Sequence, residues 1–329
     1  MNIRHCLILL LALASTPFSI RAAEPPRVVV SIAPVHSLIA GLMKGVAAPE
    51  LLVKSGVSHH SFSLRPSHMR AITQANAIFW LGAEAETFLG RPLASARPEQ
   101  RIFNLMQSPG LTLLGTRSGG AWREEHEEKD SGAHDHRHEG KTTDPHIWLD
   151  PLNAEAMVKA ATVVLIKADP ERAAQYQENS DRLLFQLQNL DMEMRDSVAL
   201  AKGKPYLVFH DAYQYFEHRY GLNAAGAISI SPERRPGARR LREIQRTLKE
   251  INAHCIFVEP QFPSNFLQAI VEEGEYNTGT LDPLGIDIQP GPDMYFILMR
   301  RLSSALVACL CQVYADEEME PTVAPPATQ

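Results

Sequence analysis

The sequence predicts an α/β protein of two lobes, each a mostly parallel sheet flanked by helices, joined by one long backbone helix. Two observations carry this. Four short apolar runs are each followed by a helical pattern, and an uninterrupted helical stretch divides them into two pairs.

The runs come in order. Residues 27–33 precede a helical pattern at 34–42, and 77–81 precede 82–88. Residues 206–209 precede 210–216, and 255–258 precede 259–266. Continuous apolar runs alternating with helices indicate parallel strands covered on both faces. Ligands of such sheets bind beyond the carboxyl ends of the strands, where His210 and Glu259 fall. Between the pairs, Asp169-Pro170 reads as a helix start, with a capping side chain and proline in the first turn. Tyr176, Leu183, Leu184, Leu187, Leu190, Met194 and Val198 keep helical spacing until Gly203 and Pro205 end the run. About 32 residues at 1.5 Å each make a rod of roughly 48 Å, long enough to span two lobes.

The boundaries follow. Residues 1–23 read as a secretory signal peptide: Arg4, a short apolar run from Cys6 to Ala14, then small residues around Ala22 and Ala23. That run is too short to span a bilayer, no lipobox follows it, and no later segment reads as apolar enough to cross a membrane. Residues 24–168 form the first lobe, 169–202 the linker helix and 203–313 the second lobe. Residues 123–143 are charged and rich in His, Asp, Glu and Gly, and 314–329 form an acidic, then Pro-rich tail. Both read as disordered. The net charge of −6 becomes −6 − 2 = −8 once Arg4 and Arg21 leave with the leader. An acidic surface argues against a nucleic-acid partner. Arg234, Arg235, Arg239, Arg240, Arg242 and Arg246 form a basic patch entering a helix, read as a solvated face that could also touch a partner.

Of four cysteines, Cys6 leaves with the leader. Cys255, Cys309 and Cys311 remain in an oxidising compartment and allow one disulfide. On one helix, residues two apart point away from each other, so Cys255 should pair with either Cys309 or Cys311.

Thirteen histidines stand out. Neutral imidazole is the commonest protein ligand of zinc, and three with one oxygen make a good tetrahedral site. His60 lies in a polar loop, His146 in a short extended piece bracketed by Pro145 and Pro151, and His210 at a strand end. Scaffolds place function at such positions, although each alone also reads as an ordinary surface or core histidine. His36, His68, His218 and His254 read as structural or surface residues.

Five stretches in order carry a resemblance: residues 60–67, 146–149, 208–213, 259–262 and 279–285. Over about 28–310 the chain resembles the metal-binding proteins of ABC importers for zinc and manganese, and the zinc members most closely. The resemblance implies two α/β lobes, a rigid linker helix and metal in the cleft. It implies His60, His146 and His210 as zinc ligands with Asp282 as the fourth, ahead of a water or His59. Many zinc members have Glu where His59 stands, which leaves the fourth ligand open. The place of His210 is Glu in manganese members, and imidazole favours zinc over an oxygen-preferring ion. The resemblance also pairs Cys255 with Cys309, leaving Cys311 spare. His126, His134, His136 and His138 match a His- and acid-rich insertion of zinc members, an accessory metal loop.

The implied function is high-affinity periplasmic capture of Zn²⁺ as a transported ligand by a monomer with no membrane anchor of its own. Zinc is then delivered to the membrane permease of an ABC importer. Metal binding releases protons, so affinity falls at low pH. The rigid helix predicts small loop motions rather than wide lobe closure. A manganese or iron carrier is the alternative. A zinc hydrolase would need an open metal position and a base. No His-Glu-x-x-His is present, and Glu259 reads as a supporting carboxylate, so no enzyme is expected. An adhesin has no support beyond export.

Overall fold

The computed structural model describes residues 24–54, 62–117, 142–229, 237–253, 255–262 and 276–311. The leader, His59, His60, the histidines of the acid-rich segment, Arg234, Arg235 and the tail lie outside the described residues.

Two parallel four-stranded sheets form the lobes. The first is ordered β2-β1-β3-β4, from β1 (Val28–Val30), β2 (Glu50–Leu51), β3 (Ala77–Trp80) and β4 (Arg101–Asn104). Its helices are α1 (Ala33–Leu42), α2 (Pro66–Gln74) and α3 (Thr87–Ala94). The helix α4 (Pro151–Ala168) leads to the linker helix α5 (Ala173–Ser197). The second sheet repeats the arrangement as β6-β5-β7-β8, from β5 (Pro205–Val208), β6 (Asn223–Ala227), β7 (Cys255–Val258) and β8 (Asn277–Thr280). It carries α6 (Gln214–Tyr220), α7 (Ala238–Glu250) and α8 (Met294–Cys311). In each sheet the first strand lies between the second and third. The switch point, where loops diverge and leave a crevice, is therefore β1/β3 in one lobe and β5/β7 in the other.

Four local expectations need correction. The regular part of the linker is 25 residues, with single 3₁₀ turns at Pro170–Arg172 and Ala199–Ala201. Asp169 does not cap through its side chain. Its carboxylate instead accepts hydrogen bonds from Arg172 Nη1 (3.0 Å) and Tyr176 OH (2.9 Å), groups that compete for the same oxygens. α8 is long and apolar enough to cross a membrane by length and composition, with mean hydropathy 1.5. More than half of it is buried, with Tyr295, Leu298, Met299, Leu302 and Leu306 in the protein core, so its apolarity is that of a core helix. The segment expected to be disordered through Thr143 is ordered at its end, where Thr143 bridges Gly115.

The lobes share one apolar core running from Val28 and Leu38 through Leu187 and Leu190 to Tyr206, Phe257 and Leu302. Polar bonds stitch it from both sides. Ser37 Oγ on α1 donates to Pro292 O and accepts from Tyr295 N. Tyr295 OH donates to Trp148 O (2.7 Å), and Trp148 Nε1 donates to Pro283 O (2.9 Å). Each such bond contributes about 1 kcal/mol net, but each would leave a buried group unpaired if the lobes separated. The disulfide joins Cys255 on β7 to Cys309 on α8, as the resemblance implies, and Cys311 is free. Gly279 on β8 is needed beside it, because a Cβ there would meet the Phe257 ring at 2.6 Å.

At the switch point of the first lobe, Glu86 is fully buried and accepts the N–H of Leu81 (2.8 Å). Burial pushes its carboxyl from 4.5 up to about 7, against the Ser31 hydroxyl and the Leu81 N–H, which favour the anion. A raised acid pKa means the folded chain holds the proton more firmly than the unfolded chain. The stabilising contribution is therefore full below pH 4.5 and lost as pH rises through 7. The stability advantage of wild type over Glu86→Gln should fall across that window in urea unfolding. A difference independent of pH would refute the assignment.

Candidate metal centre

The site is built at the carboxyl ends of β5 and β7. β5 is fully buried at Tyr206, Leu207 and Val208, and its direction delivers His210 into the crevice. β7 delivers Glu259 beside it. His210 Nδ1 meets Glu259 Oε1 across the switch point, in a short contact. From the first lobe comes His146, at the N-cap of a 3₁₀ turn, Ile147–Leu149, rather than in an extended piece. Asp144 Oδ1 accepts both the His146 N–H (3.0 Å) and the ring Nδ1 (2.7 Å). Ionised carboxylates only accept, so each imidazole carries its proton on Nδ1 and turns the Nε2 lone pair outward.

The two outward nitrogens face each other. His146 Nε2 and His210 Nε2 lie 3.5 Å apart, both rings almost wholly buried. With a Zn–N bond of about 2.05 Å and a tetrahedral angle, two ligand nitrogens stand about 3.3 Å apart. Trp148 lies against His146 with centroids at 5.2 Å, and Phe262 faces His210 at 6.2 Å, walling the pair with aromatic carbon. Burial lowers the pKa of His210, but the Glu259 carboxylate outweighs it and holds the imidazole above its ordinary value. That same carboxylate makes the ring a more basic ligand.

Asp282 lies just past β8, at the partly buried rim. Its Oδ1 accepts from Gln261 Nε2 (2.8 Å) and Leu284 N (2.9 Å), and its Oδ2 from Ile286 N (2.6 Å). Gly285, at φ +63°, lets the loop turn back to make the last bond. A carboxylate has about four acceptor positions, so one remains. Among the described residues no three His, Cys, Asp or Glu side chains meet at the spacing of a metal shell, so the two imidazoles form a pair to which Asp282 is not gathered. Of the histidines read as structural, His36 bonds Pro49 O (3.0 Å) and His68 accepts from Arg65 N (3.1 Å).

Sequence reasoning passed over Asp144 and Gln261 as supporting groups. Asp144 was visible as Asp-Pro-His, since an Asp beside proline commonly bonds backbone two residues on. Gln261 carried no local signal.

Paired parallel-sheet lobes stitched around a long helix, with carboxylate-backed imidazoles at the switch point, define an α/β solute-binding protein whose cleft is equipped for a metal ion. The chain belongs to the family of the periplasmic zinc-uptake complex component A, ZnuA, whose model matches residues 28–309. This is a family of binding proteins, not of enzymes. The high-affinity zinc uptake system protein ZnuA of Brucella abortus is 40% identical over 319 residues, covering 88% of this chain and 93% of its own. Solved structures share the fold. A crystal structure of ZnuA superposes with TM-score 0.71 at 23% identity, over 87% of this chain and 100% of its own. FpvC from Pseudomonas aeruginosa, in complex with Mn²⁺, gives 0.73 at 20% identity, over 88% and 99%.

Proposed function

We propose that this protein captures Zn²⁺ in the periplasm and delivers it to the membrane permease of an ABC importer. The observation that carries the reading is the pair of Nε2 atoms 3.5 Å apart, each ring fixed by a carboxylate. Two such imidazoles supply half of a tetrahedral shell, and nitrogen donors favour zinc over manganese. The relatives' zinc-uptake names support the same metal.

In this reading His60 adds the third imidazole and Asp282 the fourth donor, with a water or His59 in its place otherwise. His126, His134, His136 and His138 serve as accessory ligands that raise local metal concentration. Ligands from both lobes clip the cleft. The hydrogen bonds through Ser37, Trp148 and Tyr295 support local loop motion on binding over wide closure.

The test is metal analysis of the mature, monomeric protein, followed by competition titration of Zn²⁺ against Mn²⁺. One tight zinc site per chain is expected, surviving removal of the acid-rich segment. Tighter Mn²⁺ than Zn²⁺ binding would overturn the choice of metal.

A further inference from the structure

The two chain segments that lead into and out of the acid-rich insertion are paired. Thr116 N donates to Thr142 O and Asp144 N to Leu114 O, both at 2.9 Å, and the hydroxyls of Thr116 and Thr142 bond at 2.9 Å. This neck lies against α6 of the other lobe. Tyr215 OH accepts from Leu114 N (3.1 Å) and donates to Asp144 O (2.8 Å). Beyond it, Arg117 reaches into the second lobe. Its Nε bonds both oxygens of Asp211 (3.0 and 2.9 Å), its Nη2 contacts Asp211 again, and its Nη1 bonds Glu217 Oε2 (2.6 Å). The arginine and Asp211 side chains are about four-fifths buried, and Glu217 almost wholly so.

Each strand of the neck thus ends at a ligand's support. One strand carries Asp144, which holds His146. The other carries Arg117, which holds Asp211, the residue after His210. A guanidinium fork on a carboxylate is directional, so it fixes position as well as charge. We propose that Arg117 is a positioning residue for metal retention. By clamping Asp211 and Glu217 it fixes the backbone that presents His210 and locks the root of the insertion against the cleft. The inference rests on the zinc-capture reading and extends it: retention is set by this clamp, 94 positions from Asp211 in sequence, and not by the insertion itself.

Arg117→Gln alone would strand Glu217. Burial already pushes that carboxyl up to about 7 even with the guanidinium present. Removing one member of a buried pair is strongly destabilising. The informative variant is therefore Arg117→Gln with Glu217→Gln, which neutralises the more deeply buried partner and leaves only Asp211, about one-fifth exposed, without its guanidinium. Zinc release from the loaded full chain into excess chelator is followed by stopped flow. Thermal melting checks that each variant is folded. Release is expected to quicken about tenfold, the lower end of the loss when a ligand's supporting partner is removed. Arg117→Lys, which keeps the charge without the fork, should fall between. Deleting residues 120–139 with Arg117 intact should leave the rate unchanged. A folded double variant releasing zinc at the wild-type rate, or a deletion that speeds release equally, would overturn the clamp while leaving zinc capture standing. Wild type with no tight zinc at all would overturn both.

Discussion

His210→Ala is expected to lower zinc affinity at least a hundredfold. Zinc sites of four protein ligands have apparent binding free energies of about 10–16 kcal/mol, so one imidazole accounts for about 3 kcal/mol or more. That is about a hundredfold in Kd. The loss should exceed that from any residue of the acid-rich segment, because His210 is already in place. β5 aims it, Glu259 fixes its tautomer, and Phe262 shields it. The truncation also leaves Glu259, 2% exposed, without its partner. A buried unpaired group costs stability in its own right. The variant must therefore be compared with His210→Ala/Glu259→Gln, which removes that cost. Both should bind zinc equally poorly by chelator competition, and the double variant should melt higher. Zinc affinity within tenfold of wild type in either would place the metal elsewhere.

Much of this was legible in the sequence, for a physical reason. Strands buried on both faces read as unbroken apolar runs, and β1, β3, β5 and β7, the centre of each sheet, are the four that stood out. β2 is two residues long, and β8, Asn-Thr-Gly-Thr, is an edge strand with little to bury, so neither announced itself. His210 and Glu259 were legible because central strands point at the crevice. The meeting of His146 with His210 was not legible from spacing, since 64 positions separate them and only packing closes that distance; only the family resemblance implied it. Asp169 shows the limit of local rules: its capping signature is sound, yet Arg172 and Tyr176 claim its oxygens. α8 shows the converse. Composition alone describes a membrane span, and only its place against α1, α5 and β8 shows what its apolar residues cover.

Cys255→Ala/Cys309→Ala is expected to cost about 4 kcal/mol of stability. The bridge closes a separation of 54 residues, and the chain-entropy relation gives about that value for a loop of this length. Both half-cystines are buried and alanine leaves no polar group behind, so the loss should appear chiefly as a lower urea midpoint. Cys311→Ala, at a partly exposed thiol outside the bridge, should stay within about 0.5 kcal/mol of wild type. Reductant should lower the wild-type midpoint to that of the double variant and leave the double variant unmoved. A double variant within about 1 kcal/mol of wild type would show that α8 is held by packing alone. The position of the bridge also ties stability to the cleft. Cys255 begins the strand that ends at Glu259, and Cys309 lies on the helix whose first turn sends Tyr295 to Trp148 beside His146. Cutting the bridge loosens both supports of the imidazole pair at their far ends. Zinc should therefore dissociate faster from the reduced protein even under conditions where it remains folded.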